Sequence, residues 1–299
     1  MKAEIIDDPR FGSETDDLLK VLADQPALDP DPYQALLLDR EDLPDPELAG
    51  ERDPRAQVED LMIELPGRSL AARIYRPSSQ PRPIVLWLHG GGFVGGHLRD
   101  IEYATSGIAV AGNVTVVSLN YRLAPENPYP AGLHDVRDTL RWIRNRTDEL
   151  QGDGRMAVGG QSAGAALAAG ACLLARDENT PLPDRQILCY PTLDLHPDAD
   201  WYQWYFPTDQ VPATAVPLRA STLEGLPPAL ILAAGRDVLR DDALTYASRL
   251  EQDDVPTRLV EYADTMHAFL NFPNALSAGR HAVELIGADL RSAFSARRS

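Results

Sequence analysis

Five consecutive apolar residues, Ile84-Val85-Leu86-Trp87-Leu88, run without a polar interruption into His89-Gly90-Gly91-Gly92. A strand with one wet face alternates apolar and polar side chains. An unbroken apolar run belongs instead to a strand covered on both faces, as in a parallel sheet with helices packed on each side. The same pattern recurs at 114–119, 156–158, 187–190, 229–233 and 257–262, and stretches with helical spacing fall between these runs at 101–111, 133–145, 163–176, 241–252 and 278–294. Ahead of them, 58–65 and 70–75 flank Pro66-Gly67, a pair suited to a type II turn, and predict an antiparallel hairpin. The fold class expected is therefore α/β, with about eight strands, mostly parallel, joined by crossover helices.

Two segments stand outside that alternation. Residues 1–55 are acidic and punctuated by proline, with apolar clusters only at Leu18-Leu19-Val21-Leu22 and 35–38, which predict two amphipathic helices. Residues 192–227 separate two strands with a proline-rich stretch that carries Trp201, Tyr202, Trp204, Tyr205 and Phe206. A connection of that length inside a compact domain is usually a lid or a binding element. The divisions expected are thus 1–55, 56–191, 192–227 and 228–299.

Charge excludes several functions. The 299 residues hold 28 Lys and Arg against 45 Asp and Glu, a net of −17, so a nucleic-acid partner would be repelled. Lys2 and Lys20 are the only lysines, which removes a phosphate-loop lysine, a pyridoxal phosphate attachment point and an amine nucleophile from the body of the fold. The acidity is local, since residues 1–60 carry 18 acidic and 6 basic residues. That side is expected to repel anionic substrates and to admit neutral or cationic ones. Cys172 and Cys189, the only cysteines, sit among apolar neighbours and read as inert buried thiols, not as a metal site or disulfide framework. The longest apolar run, 163–175, is shorter than the roughly 20 residues that span a bilayer, and the first residues lack the apolar stretch of a secretory signal. The expectations are a cytoplasmic protein, no membrane insertion, no cofactor and no metal. A homodimer is entertained as the assembly.

Gly160-Gln161-Ser162-Ala163-Gly164 fits G-x-S-x-G and lies between a predicted strand and a predicted helix, where a nucleophile can be held on a sharp turn. The same serine could instead serve as a plain helix N-cap. The three glycines after His89 cost backbone entropy, which implies close approach of main-chain amides to a reacting group, with Gly91, Gly92 and Ala163 as candidate oxyanion donors. The remaining partners are expected in the chain order serine, acid, histidine. His267 follows the strand at 257–262 and Asp237 follows the strand at 229–233, both at the C-terminal edge of a parallel sheet. Asp194 is the rival acid. Asp264 reads as a turn residue, His281 as a surface or packing residue, and His196 as a residue of the 192–227 segment able to line a pocket.

As a set, these residues resemble the hormone-sensitive-lipase-like branch of the α/β-hydrolase esterases. The resemblance rests on His89-Gly90-Gly91-Gly92-Phe93, Tyr121-Arg122-Leu123-Ala124-Pro125-Glu126, Tyr129-Pro130-Ala131 with Asp135 following, Gly160 to Gly164, the Asp237 loop and His267-Ala268-Phe269. It implies Ser162, Asp237 and His267 as a triad, Gly91, Gly92 and Ala163 as the oxyanion hole, and Tyr121 to Glu126 as a support loop. It also implies a helical cap built from 1–55 and 192–227. Departures are Gln161, where the family usually has Asp, Ala165 in place of Gly, and Val238-Leu239 where Pro-Leu is common. The function expected is a serine carboxylesterase acting on small or short-acyl-chain esters through a Ser162 acyl-enzyme, with Phe93, Trp201, Trp204, Tyr205 and Phe206 walling the substrate pocket. An acyltransferase or specialised biosynthetic hydrolase would use the same residues, as would a non-catalytic ligand-binding member, against which the retained His267 argues.

Overall fold

The computed structural model describes residues 2–23, 40, 45–199, 201–208 and 210–295. In chain order its main elements are β1 (Glu4–Ile6), α1 (Pro9–Ala23), β2 (Gln57–Leu65), β3 (Arg68–Arg76), β4 (Arg82–Leu88), α2 (Glu102–Gly112), β5 (Thr115–Leu119), α3 (Ala131–Asn145), β6 (Gly152–Gln161), α4 (Ala163–Asp177), β7 (Arg185–Cys189), β8 (Ala229–Arg236), α5 (Arg240–Gln252), β9 (Thr257–Met266) and α6 (Ser277–Ser295). The strands form one nine-stranded sheet in the order β1-β9-β8-β7-β6-β4-β5-β3-β2. Pairings from β5 through β4 to β9 and β1 are parallel, and β3 is antiparallel to both β5 and β2.

The apolar runs are continuous because the sheet is covered twice. Along β4, Ile84, Leu86 and Leu88 enter the core under α3, α4 and α5, while Val85 and Trp87 enter the core under α2, α6 and α1. None of the five is more than 1% exposed, and burying each contributes about 1.5–3 kcal/mol relative to exposure. The hairpin turns at Pro66-Gly67, with Leu65 opposite Arg68 and Gly67 at φ 75°, the position of a type II turn that favours glycine. Cys172 and Cys189 are free and buried, and burial pushes the Cys172 thiol up to about 12. No helix among the described residues is long and apolar enough to cross a membrane.

The structure departs from the sequence expectations at the sheet's edge and at two strand ends. Glu4–Ile6, inside the segment expected to be helical, forms β1 and pairs in parallel with Val260–Tyr262 of β9. Three residues are too few for periodicity to register, and Ile5 is exposed, so no alternation marks them. A Glu4–Arg258 ion pair at 2.8 Å and contact between the Phe11 and Tyr262 rings hold the beginning of the chain there. Of the two predicted N-terminal helices, the first is α1; the cluster at 35–38 lies outside the described residues. β6 and β9 run several residues past their apolar cores, so Asp264 belongs to β9 and not to a turn.

One buried ionic network braces the loop that supports the centre of the sheet edge. The Asp135 carboxylate on α3, fully buried, accepts from Arg68 Nε at 2.5 Å, from Arg122 Nη2 at 2.9 Å and from the Arg122 backbone amide at 2.9 Å. It ties β3, the 120–130 loop and α3 at one point. Neutralising Asp135 takes the counter-charge from Arg122 while Arg68 keeps Asp138 at 2.7 Å, so the cost is that of weakened charged hydrogen bonds, about 1–3 kcal/mol. Asp135→Asn is therefore expected to lower the unfolding free energy by about that amount, read as a shift of the urea midpoint at unchanged slope.

Candidate active site

Ser162 sits between β6 and α4 at φ 52° and ψ −118°, a conformation that costs a non-glycine residue about 1–3 kcal/mol. The glycines on either side are required by space. A Cβ on Gly160 would lie 2.6 Å from the Gly164 carbonyl carbon and 2.7 Å from the Leu88 carbonyl oxygen. One on Gly164 would overlap the Leu88 and His89 carbonyls. The Ser162 amide donates to the Cys189 carbonyl at 2.9 Å, so the turn remains locked to β7. Its hydroxyl makes no helix-capping bond, which removes the N-cap reading. Instead, Ser162 Oγ is 3.0 Å from His267 Nε2.

His267 is the first residue beyond β9, nearer the strand than the sequence suggested, and Asp237 is the first beyond β8. Adjacent parallel strands thus deliver the two side chains to the same edge of the sheet. His267 Nδ1 lies 2.6 Å from Asp237 Oδ2, and the other carboxylate oxygen accepts from the Leu239 amide at 2.9 Å, which fixes its plane. The Asp237 side chain is 1% exposed and the His267 ring 35%, so the acid is sealed and the imidazole faces the cleft.

The rival residues have other partners, although His196 lines the same cleft, as expected of it. Asp194 pairs with Arg219 at 3.2 Å and is half-exposed. His196 Nε2 is 2.9 Å from Asp242, whose carboxylate also accepts from the Leu193 and Asp194 amides; that hydrogen bond raises the His196 pKa. His281, exposed, has Nδ1 3.0 Å from the Tyr262 hydroxyl.

Gly91 and Gly92 line the same cleft as Ser162 and His267, with φ 111° and 57°. Ala163 is buried at the first position of α4. The loop behind them is anchored by His89, whose ring stacks on Tyr121 at 4.3 Å while the Tyr121 hydroxyl donates to the His89 carbonyl at 2.9 Å. His89 Nδ1 is 2.7 Å from the Gly90 carbonyl, and burial depresses its pKa to about 4. Glu126, at the far end of the support loop, pairs with Arg40 at 3.0 Å. Gln161, the departure from the family's usual Asp, accepts from the Tyr190 hydroxyl at 2.9 Å, and the Tyr190 ring meets His267 edge-on at 5.0 Å. Nothing in the sequence pattern marked Tyr190; only its position just after β7 could have suggested it.

The cleft has a volume of about 1020 Å³. Of the five aromatic residues expected to wall it, Trp201 does so. Phe93, Tyr205 and Phe206 are buried in packing instead, with Phe93 and Tyr205 stacked at 3.9 Å, and Trp204 is partly buried against the same core. Packing of the 192–227 segment on the core consumes these rings before a pocket can use them. The sequence reading missed Leu19 of α1, Val238, Leu239 and Met266, apolar residues that do line the cleft. Val238 is 93% exposed. Among the described residues there is no group of three or more His, Cys, Asp or Glu that could hold a metal ion.

Residues 85–271 match a family model described as the alpha/beta hydrolase fold. The chain is 35% identical over 255 residues to the esterase LipI of Mycobacterium tuberculosis, covering 77% of this chain and 80% of that one. It is 30% identical over 250 residues to an ethyl acetate hydrolase of Pseudomonas putida, covering 75% and 79%. The crystal structure of the esterase LipW from Mycobacterium marinum superposes with a TM-score of 0.84 at 32% identity, covering 94% of this chain and 96% of that one. With its strand order, its serine turn and these relatives in agreement, the chain belongs to the α/β-hydrolase fold family, in the hormone-sensitive-lipase-like branch of esterases.

Proposed function

We propose that this protein is a serine carboxylesterase that hydrolyses small, short-acyl esters through an acyl-enzyme on Ser162. The observation that carries the reading is the unbroken series Ser162 Oγ, His267 Nε2, His267 Nδ1 and Asp237 Oδ2, with links of 3.0 Å and 2.6 Å, at the floor of a cleft with apolar walls. His267 takes the proton from Ser162 as Oγ attacks the ester carbonyl carbon. Asp237 holds the ring in the tautomer that carries hydrogen on Nδ1 and stabilises the imidazolium that forms. The amides of Gly91, Gly92 and Ala163 receive the oxyanion, aided by the positive end of α4. Collapse breaks the bond to the alcohol oxygen, which leaves with the proton from His267 Nε2. Water, deprotonated by the same nitrogen, then attacks the acyl carbon, releasing the carboxylic acid and restoring Ser162.

Similarity to an ethyl acetate hydrolase supports the short-acyl preference. The working form is proposed to be cytoplasmic and homodimeric.

On p-nitrophenyl acetate and butyrate, the wild type is expected to turn over, and longer acyl esters progressively less. Ser162→Ala is expected to abolish turnover and labelling by an active-site phosphonate; turnover retained by that variant would sink the assignment. Asp237→Asn is expected to lower kcat on the order of 10³–10⁴-fold, because the wrong tautomer of His267 is then favoured.

Acid stability supplies a separate test. In the folded chain His89 stays neutral down to about 4, whereas the unfolded chain protonates it near 6.5. Between those values the unfolded state binds the extra proton, so stability falls as pH drops through the window, by on the order of 3 kcal/mol in total. Unfolding free energies from pH 7 to 4 are expected to show that slope, flattened in His89→Gln.

A further inference from the structure

Trp201 stands closer to the reacting centre than a wall residue needs to. A Cβ placed on Gly92 would lie 2.8 Å from Trp201 Cδ1 and 2.9 Å from Cγ, so the indole rests directly on the glycine's α-carbon. Gly92 has φ 57°. Its neighbour Gly91 is at φ 111°, with its carbonyl accepting from the Val94 and Gly95 amides at 3.0 and 2.8 Å, whereas Gly92, without a side chain of its own, takes its packing contact from the indole. The indole also meets the Phe93 ring edge-on at 5.2 Å; Phe93 stacks on Tyr205 at 3.9 Å with 3° between planes, and the Tyr205 carbonyl accepts from the Tyr129 amide at 3.0 Å. The indole is therefore held between rings of both the 192–227 segment and the core, with its Cγ and Cδ1 against Gly92 and part of its surface lining the cleft.

We infer that Trp201 is a positioning residue for the oxyanion amides: it clamps the Gly91-Gly92 turn in the geometry that receives the developing charge. Amide donors stabilise an oxyanion only where they are already aimed, and a displacement of about 1 Å can cost on the order of 10²-fold in rate. The clamp also explains why a pocket-lining aromatic is supplied by the 192–227 segment. Seating that segment on Phe93 and seating the indole on Gly92 are one packing event. The inference rests on the esterase reading above for its kinetic arm, while its contact arm stands independently.

Two measurements test it. In a double-mutant cycle read by thermal midpoint, Gly92→Ala is expected to lower the midpoint much less in the Trp201→Ala background than alone, because the methyl then has no indole to meet. Equal drops in both backgrounds would overturn the contact. In kinetics on p-nitrophenyl acetate, a substrate whose acyl group is too small to need a distant wall, Trp201→Ala is expected to lower kcat on the order of 10-fold or more with a smaller change in KM. Trp201→Phe, which keeps an aromatic plane on the glycine, is expected to recover most of that loss. A change confined to KM or to chain-length preference would make Trp201 a wall and nothing more. Failure of the esterase reading looks different: no turnover by the wild type and no phosphonate labelling of Ser162, with the thermal cycle unaffected.

Discussion

The cleft depends on how closely two stretches of main chain can approach. The end of β4 and the turn from β6 into α4 pass each other with the Leu88 and His89 carbonyls set against Gly160 and Gly164, where side chains would collide. That proximity brings the glycines after His89 beside Ser162 and forces Ser162 into its costly conformation. The strain has to be resisted, and the resistance is visible at successive distances. The Ser162 amide is bonded to β7, Tyr121 holds the His89 carbonyl, and Asp135 holds the loop that carries Tyr121 and Arg122. A rigid sheet with both faces covered supplies the foundation, since densely packed cores do not deform gradually.

Much of this was legible in the linear chain, for a physical reason. Strands covered on both faces leave an unbroken apolar signature, and Ile84 to Leu88 carries it. Residues at the C-terminal ends of parallel strands must share one edge, so Asp237 and His267 could be placed together before any distance was known. Less legible was whatever depends on competition between packing partners. Phe93, Tyr205 and Phe206 have the composition of a pocket wall, yet the rings satisfy one another and leave the cleft to Trp201, to Tyr190 and to apolar side chains such as Leu19, Val238 and Met266. The strand Glu4–Ile6 was illegible because its partner lies far along the chain and its own three residues carry no period.

Where the 192–227 segment leaves β7, one carboxylate anchors it to the body of the molecule. Asp242, near the start of α5, gathers the Leu193 and Asp194 amides and His196 with one carboxylate oxygen, so the chain leaving β7 is directed before the segment's aromatic rings take over. Asp194, the rival acid by chain position, and His196 are thereby committed to holding the start of the segment. Which histidine meets the serine is in this sense topological: His196 and His267 both line the cleft, and the one delivered by β9 lies 3.0 Å from Ser162 Oγ.

The pairing of β1 with β9 sets a constraint on the order of events during synthesis. Glu4 finds Val260 as its partner, so the outermost strand cannot be completed until nearly all of the chain has left the ribosome. Contacts of such separation are late, because their loop-closure cost comes due before they stabilise anything. Until then an unpaired strand-forming segment has to wait in solvent, where free edges invite pairing with neighbouring nascent chains. The stretch that follows it is the most acidic of the molecule, 18 acidic against 6 basic residues in the first sixty, and like charges on adjacent polysomes hold each other apart. The segment whose docking place is built last is thus also the one whose charge opposes association with its like.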